Sequence, residues 1–125
     1  MIVSTRPTLK WTKPSISTTL PPVRGGHGMV VADLQLVVFG GHAYLGDGKF
    51  EYLNDVWVCD ITTLSWQKVY VGGTPPAKRY GMSCVIVGSR MFCFGGRGEN
   101  GVLFRDMYFL DLVEWTWVPV SATSG

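Results

Sequence analysis

An internal repeat of roughly fifty residues constrains the fold of this chain more than any other feature of its sequence. Phe39-Gly40-Gly41 recurs as Phe94-Gly95-Gly96, a shift of 55 residues, and Trp66 recurs as Trp117, a shift of 51. The residues that account for this difference lie between the double glycine and the next aspartate, so the repeat changes length only there. A segment that tolerates changes of length is typical of a surface loop. The pattern therefore predicts two copies of one structural unit.

Each unit is predicted to contain four short strands joined by tight turns. Runs of aliphatic and β-branched residues predict strands at 28–32, 35–39, 56–58 and 65–69, and again at 83–87, 90–94, 107–109 and 116–120. Gly88-Ser89 is a good two-residue hairpin turn because glycine accepts a positive φ. No segment shows apolar residues at helical spacing over three turns. Four antiparallel strands in about fifty residues are typical of a β-propeller blade, so the predicted class is all-β.

The recurring residues also match the kelch motif. The first unit contains Pro22-x-Arg24-x-Gly26-His27, Phe39-Gly40-Gly41, Asn54-Asp55-Val56-Trp57 and Trp66. The second contains Pro76-x-x-Arg79-Tyr80-Gly81, Phe94-Gly95-Gly96, Asp106-Met107-Tyr108 and Trp117. It departs from the motif at Met82, where the first unit has histidine, and at Arg105, where the first unit has asparagine. From Trp11 onward the chain resembles the kelch-repeat family, which implies two kelch propeller blades.

This resemblance implies an incomplete β-propeller, because propellers close with about four to eight blades. Residues 1–22 are predicted to supply the outer strand of a preceding blade and a linker, residues 23–70 and 71–120 the two blades, and residues 121–125 a tail. Leaving about five apolar side chains uncovered on an open flank at about 2 kcal/mol each forfeits about 10 kcal/mol. That rivals the stability of a whole domain, about 5–15 kcal/mol. We therefore expect further blades from a longer chain or from copies of this one.

Several recurring residues are predicted to hold each blade together. The double glycines end the second strands where no side chain fits, and each arginine of the motif is predicted to pair with an aspartate. The two tryptophans are expected on the outer strands, packed against the next blade, and His27 is expected to make a structural hydrogen bond. The full structural set is Arg24, His27, Gly40, Gly41, Asp55, Trp66, Gly95, Gly96, Asp106 and Trp117.

A partner-binding face is predicted where the longest connections lie. In an antiparallel meander the connections 41–53, 70–79 and 96–105 share one face, and aromatic and arginine side chains make good interface anchors. The candidates are His42, Tyr44, Lys49, Tyr52, Arg79, Arg97, Glu99, Asn100, Phe104 and Arg105. In kelch adaptors the ligand face often uses arginines at the positions of Arg24, Arg79 and Arg97. The alternative for the first two is that they only hold their aspartates or carbonyl groups in place.

The cysteines favour a reduced compartment. Three cysteines do not make a disulfide framework, so the expected location is cytoplasmic. Cys84 and Cys93 are predicted to lie directly opposite each other in the hairpin around Gly88-Ser89. Strand thiols mostly act as small apolar groups, so free thiols are expected, with a cross-strand disulfide as the alternative.

No catalytic, metal or cofactor site is predicted. Glu51-x-x-x-Asp55-x-x-x-Cys59 resembles the Glu-x-x-x-Asp-x-x-x-His iron site of kelch specifier proteins. The third ligand differs, however, and each i+4 step on a strand spans about 13 Å. A kelch-type metal-dependent enzyme is therefore the least favoured function.

Charge and hydropathy narrow the class of partner. The net charge is +2, without a run of like charges, so no nucleic-acid surface is predicted. The apolar stretches fall well short of the roughly 20 residues of a membrane-spanning helix, so no membrane association is predicted. The predicted function is a protein-interaction scaffold or adaptor. The alternative is structural or cytoskeletal assembly of the actin-binding type.

Overall fold

The computed structural model describes residues 19–121, which form two β-sheets. The first sheet consists of β1 (Gly28–Ala32), β2 (Gln35–Gly46), β3 (Lys49–Asp60) and β4 (Ser65–Val69). The second sheet consists of β5 (Gly72–Gly73), β6 (Ser83–Val87), β7 (Arg90–Arg97), β8 (Leu103–Asp111) and β9 (Thr116–Val120). Within residues 19–121 the only helical element is a 3₁₀ turn at Glu99–Gly101, so the all-β prediction is confirmed. The predicted strand around Trp11 and the tail from residue 122 lie outside the described residues.

The strands follow one another as meanders. The order is β1-β2-β3-β4 in the first sheet and β5-β9-β8-β7-β6 in the second. All neighbouring pairs are antiparallel except β5 with β9, which are parallel, with Gly72 opposite Thr116. Four strands were predicted for the second unit, and β5 was missed because Gly72-Gly73 carries no strand propensity. Its pairing depends on backbone groups alone, including a 3.0 Å hydrogen bond from the Gly72 N–H to the Trp115 carbonyl.

The prediction that residues 41–53 form a loop is wrong, because β2 and β3 continue through this segment as a long hairpin. Asp47 and Gly48 both have positive φ angles, 52° and 72°, at its tip. Two positive φ angles define the type I′ turn, which matches the twist of antiparallel strands and favours Asp-Gly. The dipeptide is visible in the sequence, but the variable length of this segment favoured a loop. The side chains of this segment are therefore held by paired strands and not by a loop.

The two sheets stack on each other and enclose the core. Phe39, Val37, Met91 and Leu110 are fully buried between them. The ring centroids of Phe39 and Trp117 are 4.8 Å apart across the interface. The main chains come closest at the inner strands β1 and β6, where a Cβ on Gly28 would collide with the Cys84 Sγ. Two sheets that converge on one edge have the wedge shape of neighbouring propeller blades.

Trp117 faces the opposite way from the predicted direction. It was expected to pack against the next blade, but it packs on Phe39 of the preceding one. Trp66 lies opposite Cys59 on the neighbouring strand, and Cys59 points to the other side of the sheet from Val58, a core residue. Trp66 therefore also faces away from the second sheet. Strand alternation determines which side of the sheet each tryptophan faces. The repeat alone did not show which side that is on the short outer strand.

Candidate partner-binding face

An arginine–aspartate clamp recurs in both sheets. Arg24 donates hydrogen bonds to both carboxylate oxygens of Asp55, one of them 3.0 Å long, and a further bond of 3.1 Å to the Gly40 carbonyl. Arg79 repeats these contacts with Asp106, at 3.0 Å, and with the Gly95 carbonyl, at 3.1 Å. In each blade the clamp joins the double glycine to the third strand. The clamp thereby ties β2 to β3 in the first blade and β7 to β8 in the second, at the register shift beside each double glycine.

The charge of Asp55 is stabilised by this clamp. Burial raises the pKa of the Asp55 carboxyl, but hydrogen bonds from Arg24 and Trp57 and the guanidinium charge together outweigh that effect. The net result is a pKa below the ordinary value. The Trp57 indole contributes a 3.0 Å bond to the same carboxylate. Asp55 is therefore an ionised structural residue, which leaves it little capacity to act as a metal ligand.

Backbone hydrogen bonds connect Arg79 of the second blade to the double glycine and to β3 of the first blade. The Arg79 N–H donates to the Leu53 carbonyl at 3.1 Å, and the Gly41 N–H donates to the Arg79 carbonyl at 2.8 Å. Gly41 has a φ of 99°, and a Cβ there would lie 2.7 Å from the Gly25 carbonyl oxygen, so only glycine fits. The Arg79 residue is 2% exposed. Its predicted contact with a partner stays a prediction, and its observed contacts are internal.

Aromatic rings cover one side of the long hairpin and continue onto the second blade. His42 lies 4.8 Å from Phe50 and 4.6 Å from Tyr80, measured between ring centroids. Tyr44 lies 5.2 Å from Phe50, and Tyr52 lies 5.5 Å from Tyr80. The cross-strand pairs His42–Tyr52 and Tyr44–Phe50 place these side chains on the same side of the hairpin. We call these five residues the aromatic ladder.

A groove lies beside the aromatic ladder, between the hairpin and the 3₁₀ turn of the second blade. It has a volume of about 700 Å³ and is lined by Leu45, Gly48, Phe50, Glu51, Tyr52, Lys78, Glu99 and Asn100. We call it the interblade groove. Three predicted partner-binding residues line it, namely Tyr52, Glu99 and Asn100. Sequence reasoning missed Phe50 and Leu45, although the Asp-Gly turn and strand alternation would have placed Phe50 beside Tyr44 and Tyr52.

The other predicted partner-binding residues do not all reach this groove. Arg97, Phe104 and Arg105 line a separate hollow of about 330 Å³ that also borders Ser83 and Phe94. Phe104 is half-buried, because the Arg79 guanidinium stacks on its ring at 3.8 Å. Lys49 begins β3 at the exposed tip of the hairpin. The candidates therefore occupy two surfaces rather than one.

The structural hydrogen bond expected of His27 is not made by the Nδ1 atom of its ring. Its Nδ1 atom is buried and has no hydrogen-bond partner among the described residues. Its Cα and Cβ pack against Gly41, where a Cβ would lie 3.1 and 3.0 Å from them. Packing on the double glycine is thus the contact that the structure shows for this residue.

Two other classes of site, metal centres and membrane-spanning helices, depend on features that the described residues do not show. Among residues 19–121, no three histidine, cysteine, aspartate or glutamate side chains are grouped so that they could hold a metal ion. Over the same residues, no helix is long and apolar enough to cross a membrane.

Two stacked meanders, each with its own arginine–aspartate clamp, define neighbouring blades of a β-propeller. A model of the KLHDC2/KLHL20/DRC7 Kelch-repeats domain matches residues 1–125. The chain therefore belongs to the kelch-repeat family, as its motifs predicted.

Relatives from animals and plants share this similarity. Kelch domain-containing protein 3 of Bos taurus is 35% identical over 93 residues, which cover 74% of this chain and 24% of the relative. Adagio protein 3 of Arabidopsis thaliana is 39% identical, with 83% of this chain and 17% of the relative covered. Acyl-CoA-binding domain-containing protein 5 of the same plant is 32% identical, with 78% and 14% covered. The chain thus spans at most about a quarter of the length of these relatives.

Proposed function

We propose that this chain is part of a protein-interaction scaffold that binds an extended segment of a partner in the interblade groove. The observation that carries the proposal is the groove itself, which both blades build and which exposed aromatic side chains border. Kelch-repeat domains are generally interaction modules rather than enzymes, which supports the same class of function.

The side chains of the groove suggest what the partner segment carries. Phe50 is 49% exposed and Leu45 is 62% exposed, so both offer apolar area to a ligand. Glu51 and Glu99 contribute two carboxylates against the single amine of Lys78. Complementary charges determine which partner is accepted. The preferred segment therefore combines an apolar side chain with a lysine or arginine.

Affinity measurements on variants of the groove test this proposal. Partners captured with the full-length protein are purified, and their Kd values are measured for wild type, Phe50→Ala, Tyr52→Ala and Glu99→Lys. Loss of an interface anchor costs about 2 kcal/mol or more, which is roughly 30-fold in Kd. We expect a loss of affinity of that size for each aromatic variant. Glu99→Lys should also reduce the affinity, and this reduction should be smaller at high salt.

Tyr70→Ala is the matched control. Tyr70 is 84% exposed and does not line the interblade groove, so its removal leaves the Kd unchanged. Equal binding by wild type and both groove aromatic variants would contradict the proposal. In that case the separate hollow beside Arg97 and Arg105 is the next surface to vary, with Arg97→Ala as the first change.

Location and assembly form part of the same proposal. The three cysteines are free thiols, which supports a cytoplasmic location. Because the chain covers only a fraction of its relatives, we propose that further blades come from a longer chain rather than from copies of this one. Sedimentation of the full-length protein distinguishes these sources, since a monomer excludes assembly from copies.

A further inference from the structure

Two thiols face each other across the β6–β7 hairpin. Cys84 and Cys93 are directly opposite, as predicted, and their Sγ atoms are 2.9 Å apart. The pair Val87–Arg90 closes the two-residue turn, so Cys84–Cys93 is a pair without backbone hydrogen bonds between its members. The Cα atoms of such pairs lie about 4.5 Å apart, within the range of about 4.4–6.8 Å that a disulfide spans. Little backbone movement is needed to join the two sulfurs.

The surroundings of the pair differ at its two ends. Cys93 is 4% exposed, whereas Cys84 is half-buried at the seam between the blades. The Cys84 sulfur packs on Gly28 of β1, where a side chain would collide with it. The hydrogen bond between the thiols lowers the pKa of Cys84, and the same bond together with burial raises the pKa of Cys93. Cys84 is therefore the better thiolate and the more accessible nucleophile.

The repeat does not require these thiols. The equivalent positions of the first blade are Met29 and Val38, which also pair directly across β1 and β2. A methionine and a valine fill that place, so a blade needs only apolar side chains there. The second blade therefore carries a cysteine pair that its fold does not require.

We propose that Cys84 and Cys93 are a redox modification site that reversibly forms a cross-strand disulfide by exchange with glutathione disulfide. The Cys84 thiolate attacks one sulfur of glutathione disulfide, and the displaced glutathione thiolate takes up a proton. The Cys93 thiolate then attacks the Cys84 sulfur of the mixed disulfide and releases a second glutathione thiol. In total the two cysteine sulfurs are oxidised, one glutathione disulfide is reduced, and the two thiol protons end on two glutathione molecules.

The second step is favoured by the first. A negative charge on Cys84 is one of the factors that raise the pKa of Cys93. That charge disappears once the Cys84 sulfur is bonded, which makes the Cys93 thiolate easier to form. The sulfurs then move from 2.9 Å to the roughly 2.05 Å of a disulfide bond. The resulting link joins β6 to β7 beside the seam with β1.

Peptide mapping tests the proposal directly. The folded full-length protein is incubated with excess glutathione disulfide, free thiols are alkylated under denaturing conditions, and the protein is cleaved with trypsin. Cleavage after Arg79, Arg90 and Arg97 separates Cys84 from Cys93, and Cys59 falls in a third peptide. We expect peptides 80–90 and 91–97 to appear linked, with two hydrogen atoms lost. The link should disappear after treatment with dithiothreitol.

Variants and a denatured control make the result specific. Cys59→Ser should retain the link, whereas Cys93→Ser should leave Cys84 as a mixed disulfide with glutathione. In the folded protein the Cys84–Cys93 link should exceed links to Cys59 by at least tenfold, and this preference should vanish when oxidation is carried out in denaturant. Full alkylation of both cysteines after oxidation, glutathione adducts only, or preferred links to Cys59 would overturn the proposal. None of these outcomes bears on binding in the interblade groove.

Discussion

Equivalent faces of the two blades differ in burial. This face is covered in the first blade and open to solvent in the second. On the first blade, Val30, Phe39 and Val56 face the second sheet and are 8%, 0% and 1% exposed. The equivalent residues of the second blade are Val85, Phe94 and Met107, and they are 56%, 49% and 37% exposed. The residue types are similar and the strand register is the same. The neighbouring blade therefore decides burial, and the local sequence decides only which side chains are offered.

The open face has the composition of a covered one. Phe92 and Phe109 add further aromatic area to it, with their ring centroids 5.3 Å apart, and the Arg90 guanidinium lies 4.4 Å from the Phe109 ring. An apolar face of this kind favours a further blade that would cover it.

The largest expected effect concerns the clamp at the seam. Arg79→Ala should lower the free energy of unfolding by about 3–5 kcal/mol, because it removes a buried side chain that holds the Asp106 carboxylate, the Gly95 carbonyl and the Phe104 ring together. Arg24→Ala in the first blade should cost less, since only Arg79 also stacks on an aromatic ring, that of Phe104. Urea unfolding measures both. A smaller loss for Arg79→Ala than for Arg24→Ala would show that the seam adds nothing to the clamp.

Truncating equivalent phenylalanines compares the two faces directly. Phe39→Ala should cost about 3–5 kcal/mol, because it opens a cavity in the core between the blades. Phe94→Ala removes a ring that is half in solvent and should cost roughly 1–2 kcal/mol in this chain. The difference, about 2 kcal/mol, is measured by denaturant unfolding under identical conditions. Equal losses would mean that another part of the structure covers Phe94 in solution.

Acid should weaken the clamp of the first blade. The pKa of Asp55 is lowered in the folded state, so its contribution is complete above the unfolded value of about 4 and is lost as the pH falls through the folded value. The free energy of unfolding of wild type should therefore fall below about pH 4. Asp55→Asn should show a flatter profile there, and Asp47→Asn, at the exposed hairpin tip, should follow wild type. Parallel profiles for wild type and Asp55→Asn would contradict the assignment.

The smallest effect is expected on the open face. Val85→Lys should change the stability of this chain by no more than about 0.5 kcal/mol, because the side chain remains in solvent. In a longer protein that supplies the next blade, the same change buries a charge and should cost several times more. Thermal unfolding of the two lengths of protein measures this contrast. The same small cost in both would show that no blade covers this face.

Much of the fold could be predicted from the repeat. The offset of the double glycines and tryptophans placed the inner and outer strands, and the turn at Gly88-Ser89 placed Cys84 opposite Cys93. The long hairpin was missed even though Asp47-Gly48 signals it, because variable length favoured a loop. The short strand β5 had no signal, since only backbone groups of Gly72 and Gly73 make it.

The site was less predictable than the fold. Tyr52, Glu99 and Asn100 were placed on the candidate face by the order of the connections alone. That order does not show how far each connection reaches, so residues lining the interblade groove and the separate hollow were predicted as one set. Phe104 also illustrates the limit, because its contact with Arg79 depends on a side chain from a distant segment.

The sequence by itself determined the repeat, the strands and the pairs that hold each blade, because these depend on alternation, turn chemistry and contacts within one unit. Only the tertiary structure decided which face of each sheet is covered, which way Trp117 points and where the interblade groove lies. These features depend on how two units stack. Stacking is a contact between surfaces far apart in the chain, and no local pattern specifies it.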